Sequence, residues 1–299
     1  MSKIHKALER AQRERESGLS RELSPLVLVD VGKEAADQGR GVIDSRPTGP
    51  MVAEKVISSQ RLVTFYDPDS LASEQFRKLR TRLLRLRLPH PPRTILVTSA
   101  RAGEGKTLVS VNLAAGIAHE FNAHALLVDC DLRNPSLGSW FGVSNGYGLS
   151  DYLVGKKEIS QLLFKTEIER LRILLGGTLQ DDPAELVGSA RMESLINELK
   201  SRYSDRYIIF DSTPLLATSE PEILSKLVDG ILIVVRAGET PRETVKQAIA
   251  SLEKEKILGI VLNDLQFKSS GLNNRYFGSD DSYYGYRYSR KRKGSDNGK

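Results

Sequence analysis

The sequence predicts an α/β fold in which a mostly parallel sheet carries helices on both faces. Three observations point there. From Asp69 onward, short apolar runs of strand length alternate with helical patterns. The runs are apolar throughout rather than alternating, as in strands covered on both sides. A Gly-rich turn separates the first core strand from the next helix, and two later strands run into aspartates. In sheets of this kind ligands bind at the carboxyl ends of the strands.

Residues 1–16 read as a short amphipathic helix. Ser2 can cap it, and Ile4, Ala7, Leu8 and Ala11 recur at i, i+3, i+4 and i+7 among Lys and Arg. A docking helix fits better than a membrane-surface helix, because the apolar face lacks Trp, Phe or a second Leu. Residues 17–68 have the Gly, Ser, Pro, Asp and Arg content of a partly disordered linker, and 26–31 the composition of a short strand.

The folded domain is expected over 69–265. It opens with a helix that carries Leu71, Phe76, Leu79, Leu83 and Leu86 on one face up to Pro89. Strands are expected at 94–98, 125–128, 172–175, 207–210, 231–235 and 259–262. Helices are expected at 106–120, 149–153, 159–164, 191–202, 220–227 and 240–254. Residues 266–299 are polar and rich in Gly and Ser, and read as a flexible tail.

The chain of 299 residues is long enough for one large domain with extensions. A net charge of +6 is compatible with anionic ligands, acidic lipid or nucleic acid and selects none of them. Cys130 is the one cysteine, which excludes a disulfide framework within the chain and fits a reducing compartment. No apolar run approaches the ~20 residues of a membrane span, and the N-terminus lacks the apolar core of a secretory signal. A cytoplasmic location is expected, with membrane contact made through a partner or a surface helix.

After the first core strand comes Ser99-Ala100-Arg101-Ala102-Gly103-Glu104-Gly105-Lys106-Thr107, then a helix. This is the phosphate-binding pattern G-x-x-x-x-G-K-[ST], with Ala100 in place of the first Gly. Gly103 and Gly105 allow backbone N–H groups to turn inward around phosphates, and the helix N-terminus adds positive charge. Lys106 should neutralise the β- and γ-phosphates, and the Thr107 hydroxyl should bind Mg²⁺. A Gly-rich turn before a helix would be the plain alternative. The strand before, the helix after and the acidic strand ends downstream favour nucleotide binding. Arg101 could reach a neighbour's nucleotide with its fork of donors, or simply face solvent.

The acidic strand ends are Asp129-Cys130-Asp131 and Asp211-Ser212-Thr213-Pro214. Mg²⁺ takes one or two carboxylates along with phosphate oxygens and water, and Asp211 fits that role. Asp129 and Asp131 need not point the same way. One could accept a proton while the other supports the metal; alternatively Asp131 only caps the next turn. Cys130 reads as a small buried hydrophobe rather than a nucleophile.

The segment Leu126-Leu127-Val128-Asp129-Cys130-Asp131-Leu132-Arg133-Asn134-Pro135 resembles the second acidic motif of the bacterial tyrosine kinases of capsule and exopolysaccharide export. That family belongs to the deviant Walker P-loop NTPases, with the partitioning and division-site ATPases. Three further segments agree: Glu74, Arg77 and Arg80 stand as in the family's E-x-x-R-x-x-R self-association helix; Asp182-Pro183-Ala184-Glu185-Leu186 is similar to its N-P-A-E-L segment; and 227–236 is similar to the strand that follows its metal-binding aspartate. The resemblance covers roughly 69–264. It departs at Ala102, where Pro is common, and at Ser212-Thr213-Pro214 after Asp211, neither of which removes a charged group.

The resemblance implies an ATP- and Mg²⁺-dependent protein-tyrosine autokinase. Gly103, Glu104, Gly105, Lys106, Thr107 and Leu108 would hold the nucleotide phosphates, Thr107, Asp131 and Asp211 the metal, and Asn263 the adenine. Asp129 would take the tyrosine proton. Protomers would form a ring or dimer through Glu74, Arg77 and Arg80. A separate membrane protein of the polysaccharide co-polymerase type would activate the chain and hold it at the inner face of the plasma membrane.

Tyr276, Tyr283, Tyr284, Tyr286 and Tyr288 are half of the chain's ten tyrosines and lie in the polar tail, ahead of Arg290-Lys291-Arg292-Lys293. They are the expected phosphate acceptors, and each phosphorylation would add about −1.5 to −2 of charge. Tyrosine stacking beside a basic run is also a nucleic-acid pattern, disfavoured here because the run is short. An ATP-driven positioning switch without kinase activity is the other alternative.

Overall fold

The computed structural model describes residues 25–29, 61–86, 88, 91–120, 123–143, 146–202 and 206–265. The helix expected at 1–16 and the tail at 266–299, with its five tyrosines, lie outside the described residues.

The strands are β1 (Pro25–Val29), β2 (Thr94–Ser99), β3 (His124–Asp129), β4 (Leu163–Lys165), β5 (Leu171–Leu174), β6 (Arg206–Asp211), β7 (Gly230–Arg236) and β8 (Ile257–Asn263). They form one sheet in the order β1-β8-β7-β2-β6-β3-β5-β4. Every neighbouring pair is parallel except β4 with β5. The stretch with strand composition in the expected linker therefore joins the sheet as β1, beside β8.

Alternate side chains of each central strand enter opposite layers, as the pleat requires. Ile95, Val97 and Ile209 point into one core with Leu113 and Ile117 of α3 (Lys106–Ala118) and Phe76, Leu79 and Leu83 of α2 (Leu71–Leu84). Leu96, Ile208 and Phe210 point into the other, with Leu195 and Ile196 of the helix Ala190–Arg202 and Leu224 of the helix Glu220–Leu227. The helix α3 is apolar nearly all round and almost wholly buried, which is the signature of a central helix.

The helix expected at 159–164 is not there. One turn of 3-10 helix, Ile159–Gln161, leads into β4, which pairs antiparallel with β5. Leu163 and Phe164 are half-buried against the two cores, so a short edge strand satisfies their backbone where a helix of under two turns would bury little. Three short helices carry too few residues for a helical period and were not expected: α1 (Val63–Tyr66), Leu137–Trp140 and Pro183–Val187; the helix expected at 240–254 is present but shorter, at Arg242–Ile249. The first is fastened to α3, where Thr64 N donates to Asn112 Oδ1 at 3.2 Å and Asn112 Nδ2 donates to Arg61 O at 3.0 Å.

The self-association segment lies on α2, and its three charged residues do different things. Glu74 and Arg77 pair at 2.5 Å near the surface. Arg80 turns inward: it donates to Gly116 O at 3.0 Å and pairs with Glu120 at 2.7 Å, at the C-terminal end of α3.

Candidate active site

The turn from β2 to α3 is built for close approach by an anion. Gly103 and Gly105 have φ of 80° and 92°, which side-chain-bearing residues rarely adopt. A Cβ at Gly105 would also fall 2.0 Å from Asn263 Nδ2. The first helical hydrogen bond is Val109 N to Gly105 O, so the N–H groups of Gly105, Lys106, Thr107 and Leu108 have no partner inside the helix. The Leu108 side chain packs against the core, and its backbone is what it can offer to a ligand.

Glu104 is 2% exposed, and its carboxylate turns away from that opening. It accepts from Arg101 N at 2.7 Å, from Arg236 N at 3.3 Å and from the Thr240 hydroxyl. It thus ties the turn to the end of β7 and to the loop after it. Asn263, at the end of β8, adds a second tie: its Nδ2 donates to Glu104 O at 2.9 Å. Its Oδ1 is buried with no hydrogen-bond partner among the described residues. An orphaned acceptor beside a phosphate-binding turn fits the amino group of a purine. Arg101 is exposed, with its guanidinium 3.5 Å from Thr244 Oγ1.

The three aspartates converge on the same edge. Asp129 and Asp211 end the neighbouring strands β3 and β6 at paired positions. Asp211 is buried and accepts from Ser110 Oγ at 2.9 Å. Burial pushes its carboxyl up to about 6, against the hydroxyls of Thr107 and Ser110 and the charge of Lys106. Asp129 is fully buried and accepts backbone N–H bonds from Ser136 at 2.9 Å, Leu137 at 3.0 Å and Asp131 at 3.2 Å. Burial, then the charge of Asp211, pushes it up to about 7 despite those bonds. Asp131 is half-buried and more open than either. It accepts from Asn134 N at 3.0 Å, so it does close the following turn. Burial raises its proton affinity, and the nearby Lys106 opposes that. Lys106 is 9% exposed. Cys130 is buried, and burial followed by the charges of the aspartates lifts its thiol far above the usual range, as expected of an inert core residue.

Among the described residues no group of three or more His, Cys, Asp or Glu forms a metal-holding cluster. Mg²⁺ needs none when one hydroxyl, one or two carboxylates and phosphate oxygens share it. Thr107 bonded to buried Asp211, with Asp131 beside Lys106, is a donor set of that kind.

Several participants were not legible as site residues. Glu220 is 1% exposed and pairs with Arg133 at 2.7 Å. Ser110 and Thr240 hold Asp211 and Glu104, yet each is one hydroxyl in a helical or loop sequence without a motif. Asp151 is fully buried and accepts from Gly148 N, Thr178 N and Thr178 Oγ1, holding the loop that lies over Asp129. In that loop a Cβ at Gly176 would be 2.8 Å from Pro135 and 3.6 Å from the Asp129 carboxyl carbon. Asp182 caps the helix Pro183–Val187 by accepting from Glu185 N at 3.2 Å.

Together these features define a P-loop nucleotide-binding protein with buried carboxylates at the strand ends. A family model described as "AAA domain" matches residues 92–258. The tyrosine-protein kinase YwqD of Bacillus subtilis (strain 168) is 32% identical over 227 residues, which span 75% of this chain and 94% of YwqD. The kinase domain of the Escherichia coli tyrosine kinase ETK superposes with a TM-score of 0.69 at 26% identity, over 83% of this chain and 93% of that one. The chimerical protein CapA2B2 superposes with a TM-score of 0.67 at 25% identity, over 86% of this chain and 99% of that one. The chain belongs to the bacterial tyrosine kinase family, within the deviant Walker group of P-loop ATPases, and is an enzyme of that type.

Proposed function

We propose that this chain is an ATP-dependent protein-tyrosine autokinase that transfers the γ-phosphate of ATP to tyrosines of its own tail, Tyr276, Tyr283, Tyr284, Tyr286 and Tyr288, and so regulates capsule or exopolysaccharide synthesis and export. The observation that carries this reading is a convergence. The phosphate-binding turn, the three aspartates and Asn263, from which the tyrosine-bearing segment departs, meet at one edge of the sheet.

In this reading the N–H groups of Gly105 to Leu108 and the Lys106 ammonium hold the phosphates. Thr107, Asp131 and Asp211 would hold Mg²⁺, which when bound offsets the charge on the β- and γ-phosphate oxygens. The tyrosine oxygen forms the new bond to the γ-phosphorus as the bond to the β,γ-bridging oxygen breaks, and ADP leaves. Asp129, with a carboxyl near 7, is matched to accepting the tyrosine proton at neutral pH. Glu74 and Arg77, exposed in part on α2, support protomer association in a ring or dimer, while Arg80 supports the helix that presents them.

No helix among the described residues is long and apolar enough to cross a membrane. As part of this reading, a separate polypeptide of the co-polymerase type places the chain at the inner face of the plasma membrane, with residues 1–16 as the proposed contact.

Intact mass after incubation with ATP and Mg²⁺ tests the reading, on the full chain, on Lys106→Met and on a chain ending at Asn274. Added phosphates that map to the tail and vanish in both variants are expected. ATP consumption without mass gain, with the activator also present, would overturn it in favour of water as the acceptor and a positioning-type ATPase switch.

A further inference from the structure

Arg133 lies two residues beyond Asp131, on the loop that leaves β3 at the catalytic edge. Among the described residues its guanidinium is held at one side. Nε donates to Glu220 Oε1 at 2.7 Å. Glu220 is 1% exposed and opens the helix Glu220–Leu227, where the positive end of the helix favours an anion. Its second oxygen, Oε2, is buried and has no hydrogen-bond partner among the described residues. A buried carboxylate with a single cationic partner holds that partner firmly, because separating them leaves an uncompensated buried charge.

The Arg133 side chain is nevertheless 49% exposed. With Nε engaged, the two outer nitrogens have no partner among the described residues and can donate to a ligand. A guanidinium fork fixed in this way is prepared for bidentate contact with a carboxylate, at little further loss of rotamer freedom.

The sequence contains a matching group. The tail reads Ser279-Asp280-Asp281-Ser282-Tyr283-Tyr284, so two adjacent carboxylates precede Tyr283 by two and three residues. In an extended peptide Asp281 and Tyr283 are at most about 7 Å apart along the chain. Asp131 and Arg133 have the same spacing on the loop they share. A peptide whose acceptor tyrosine lies at this edge therefore has its preceding acidic pair within reach of Arg133. Beside Arg133 the Asp131 and Glu220 carboxylates repel acidic residues in other registers, while the nearby Lys106 is given to the nucleotide phosphates in this reading.

We infer that Arg133, positioned by Glu220, is a specificity residue: it recognises acidic residues two to three positions before the acceptor tyrosine, here Asp280 and Asp281 of a neighbouring copy's tail. This deepens the tyrosine-kinase reading and rests on it.

The test compares two peptides on the full chain with saturating ATP and Mg²⁺: residues 276–290, and the same peptide with Asp280→Asn and Asp281→Asn. The expected result is a KM about fivefold higher for the Asn peptide, with kcat little changed, as for loss of a partly exposed charge-assisted contact. In Arg133→Ala the two peptides should become equivalent, and in Glu220→Gln the difference should shrink. The peptide comparison on the unaltered protein is decisive even where Arg133→Ala folds poorly. Equal KM values for the two peptides overturn the inference. So does a rise in KM for ATP, rather than for peptide, in a folded Arg133→Ala, since that assigns the fork to nucleotide phosphate. Where neither peptide is phosphorylated the kinase reading fails separately, and anisotropy with labelled peptides on Lys106→Met decides this one: about fivefold weaker binding of the Asn peptide supports it, and equal binding overturns it.

Discussion

Asp129 and Asp211 end neighbouring parallel strands at paired positions, and both are buried. Burial and the charge of Asp211 bring Asp129 up to about 7, and burial brings Asp211 up to about 6, from ordinary values of 3.8. The folded chain therefore keeps protons that the unfolded chain has already released. The sign follows: the pair's contribution is fully favourable below about pH 4 and is lost as pH rises through about 6 and then about 7. Without nucleotide and Mg²⁺, the urea midpoint at fixed ionic strength should fall between about pH 5 and about pH 8, by an amount on the order of a few kcal/mol. Asp211→Asn should flatten that slope. A midpoint that climbs over the same interval would contradict the assignment.

Asn263 closes the phosphate turn with Nδ2 and leaves Oδ1 buried without a partner among the described residues. Asn263→Ala should weaken ATP binding about tenfold through loss of one buried hydrogen bond and loosening of the turn. It should also reduce the preference for ATP over GTP, which titration with fluorescent nucleotides measures. Gly105→Ala should be more severe, since the new Cβ meets Asn263 Nδ2 at 2.0 Å on a backbone with φ of 92°.

Glu104 is a brace. Glu104→Gln keeps the shape but weakens the charge-assisted bonds to Arg101 N, Arg236 N and Thr240. The expected cost is about 1–3 kcal/mol of stability, read in denaturant unfolding. ATP affinity should fall as well, because the turn is no longer held to β7. An unchanged unfolding midpoint would show that the brace is dispensable.

The charged residues of α2 should separate in experiment. Arg80 caps the C-terminal end of α3 through Gly116 O and Glu120, so Arg80→Ala should destabilise the isolated protomer by about 1 kcal/mol or more. The Glu74–Arg77 pair is partly exposed, and Arg77→Ala should change protomer stability by less than about 1 kcal/mol. Its effect should appear instead in the mass of the assembly by light scattering. If both substitutions act equally on the protomer and neither on assembly, the segment is structural.

The sheet was legible because its central strands are continuous apolar runs between helical patterns, as in Ile231–Val235, and because Gly103, Gly105, Lys106 and Thr107 form a spaced motif. The placement of Asp129 and Asp211 at strand ends followed from the same pattern. What stayed hidden depended on single contacts. The edge strand Leu163–Lys165 has three residues, too few to show a period of two. Glu104 carries no sign in the motif that its side chain faces away from the opening. Glu220 looks like an ordinary acid in the first turn of a helix, and only its burial against Arg133 separates it from Glu222. The inward turn of Arg80 is likewise a matter of which face of α2 meets α3.

Strand β8 delivers Asn263 to the nucleotide turn, so the tyrosine segment is rooted within a few residues of the reaction it is proposed to enter. Tyr276 is 13 residues beyond Asn263 and Tyr288 is 25, which limits their reach to at most about 45 Å and 90 Å. Acceptors on such a tether meet a neighbouring site at an effective concentration near the millimolar range once chains are side by side. The rate per chain then depends on assembly and little on how much protein is present. Dilution should slow it in one step, where the assembly comes apart.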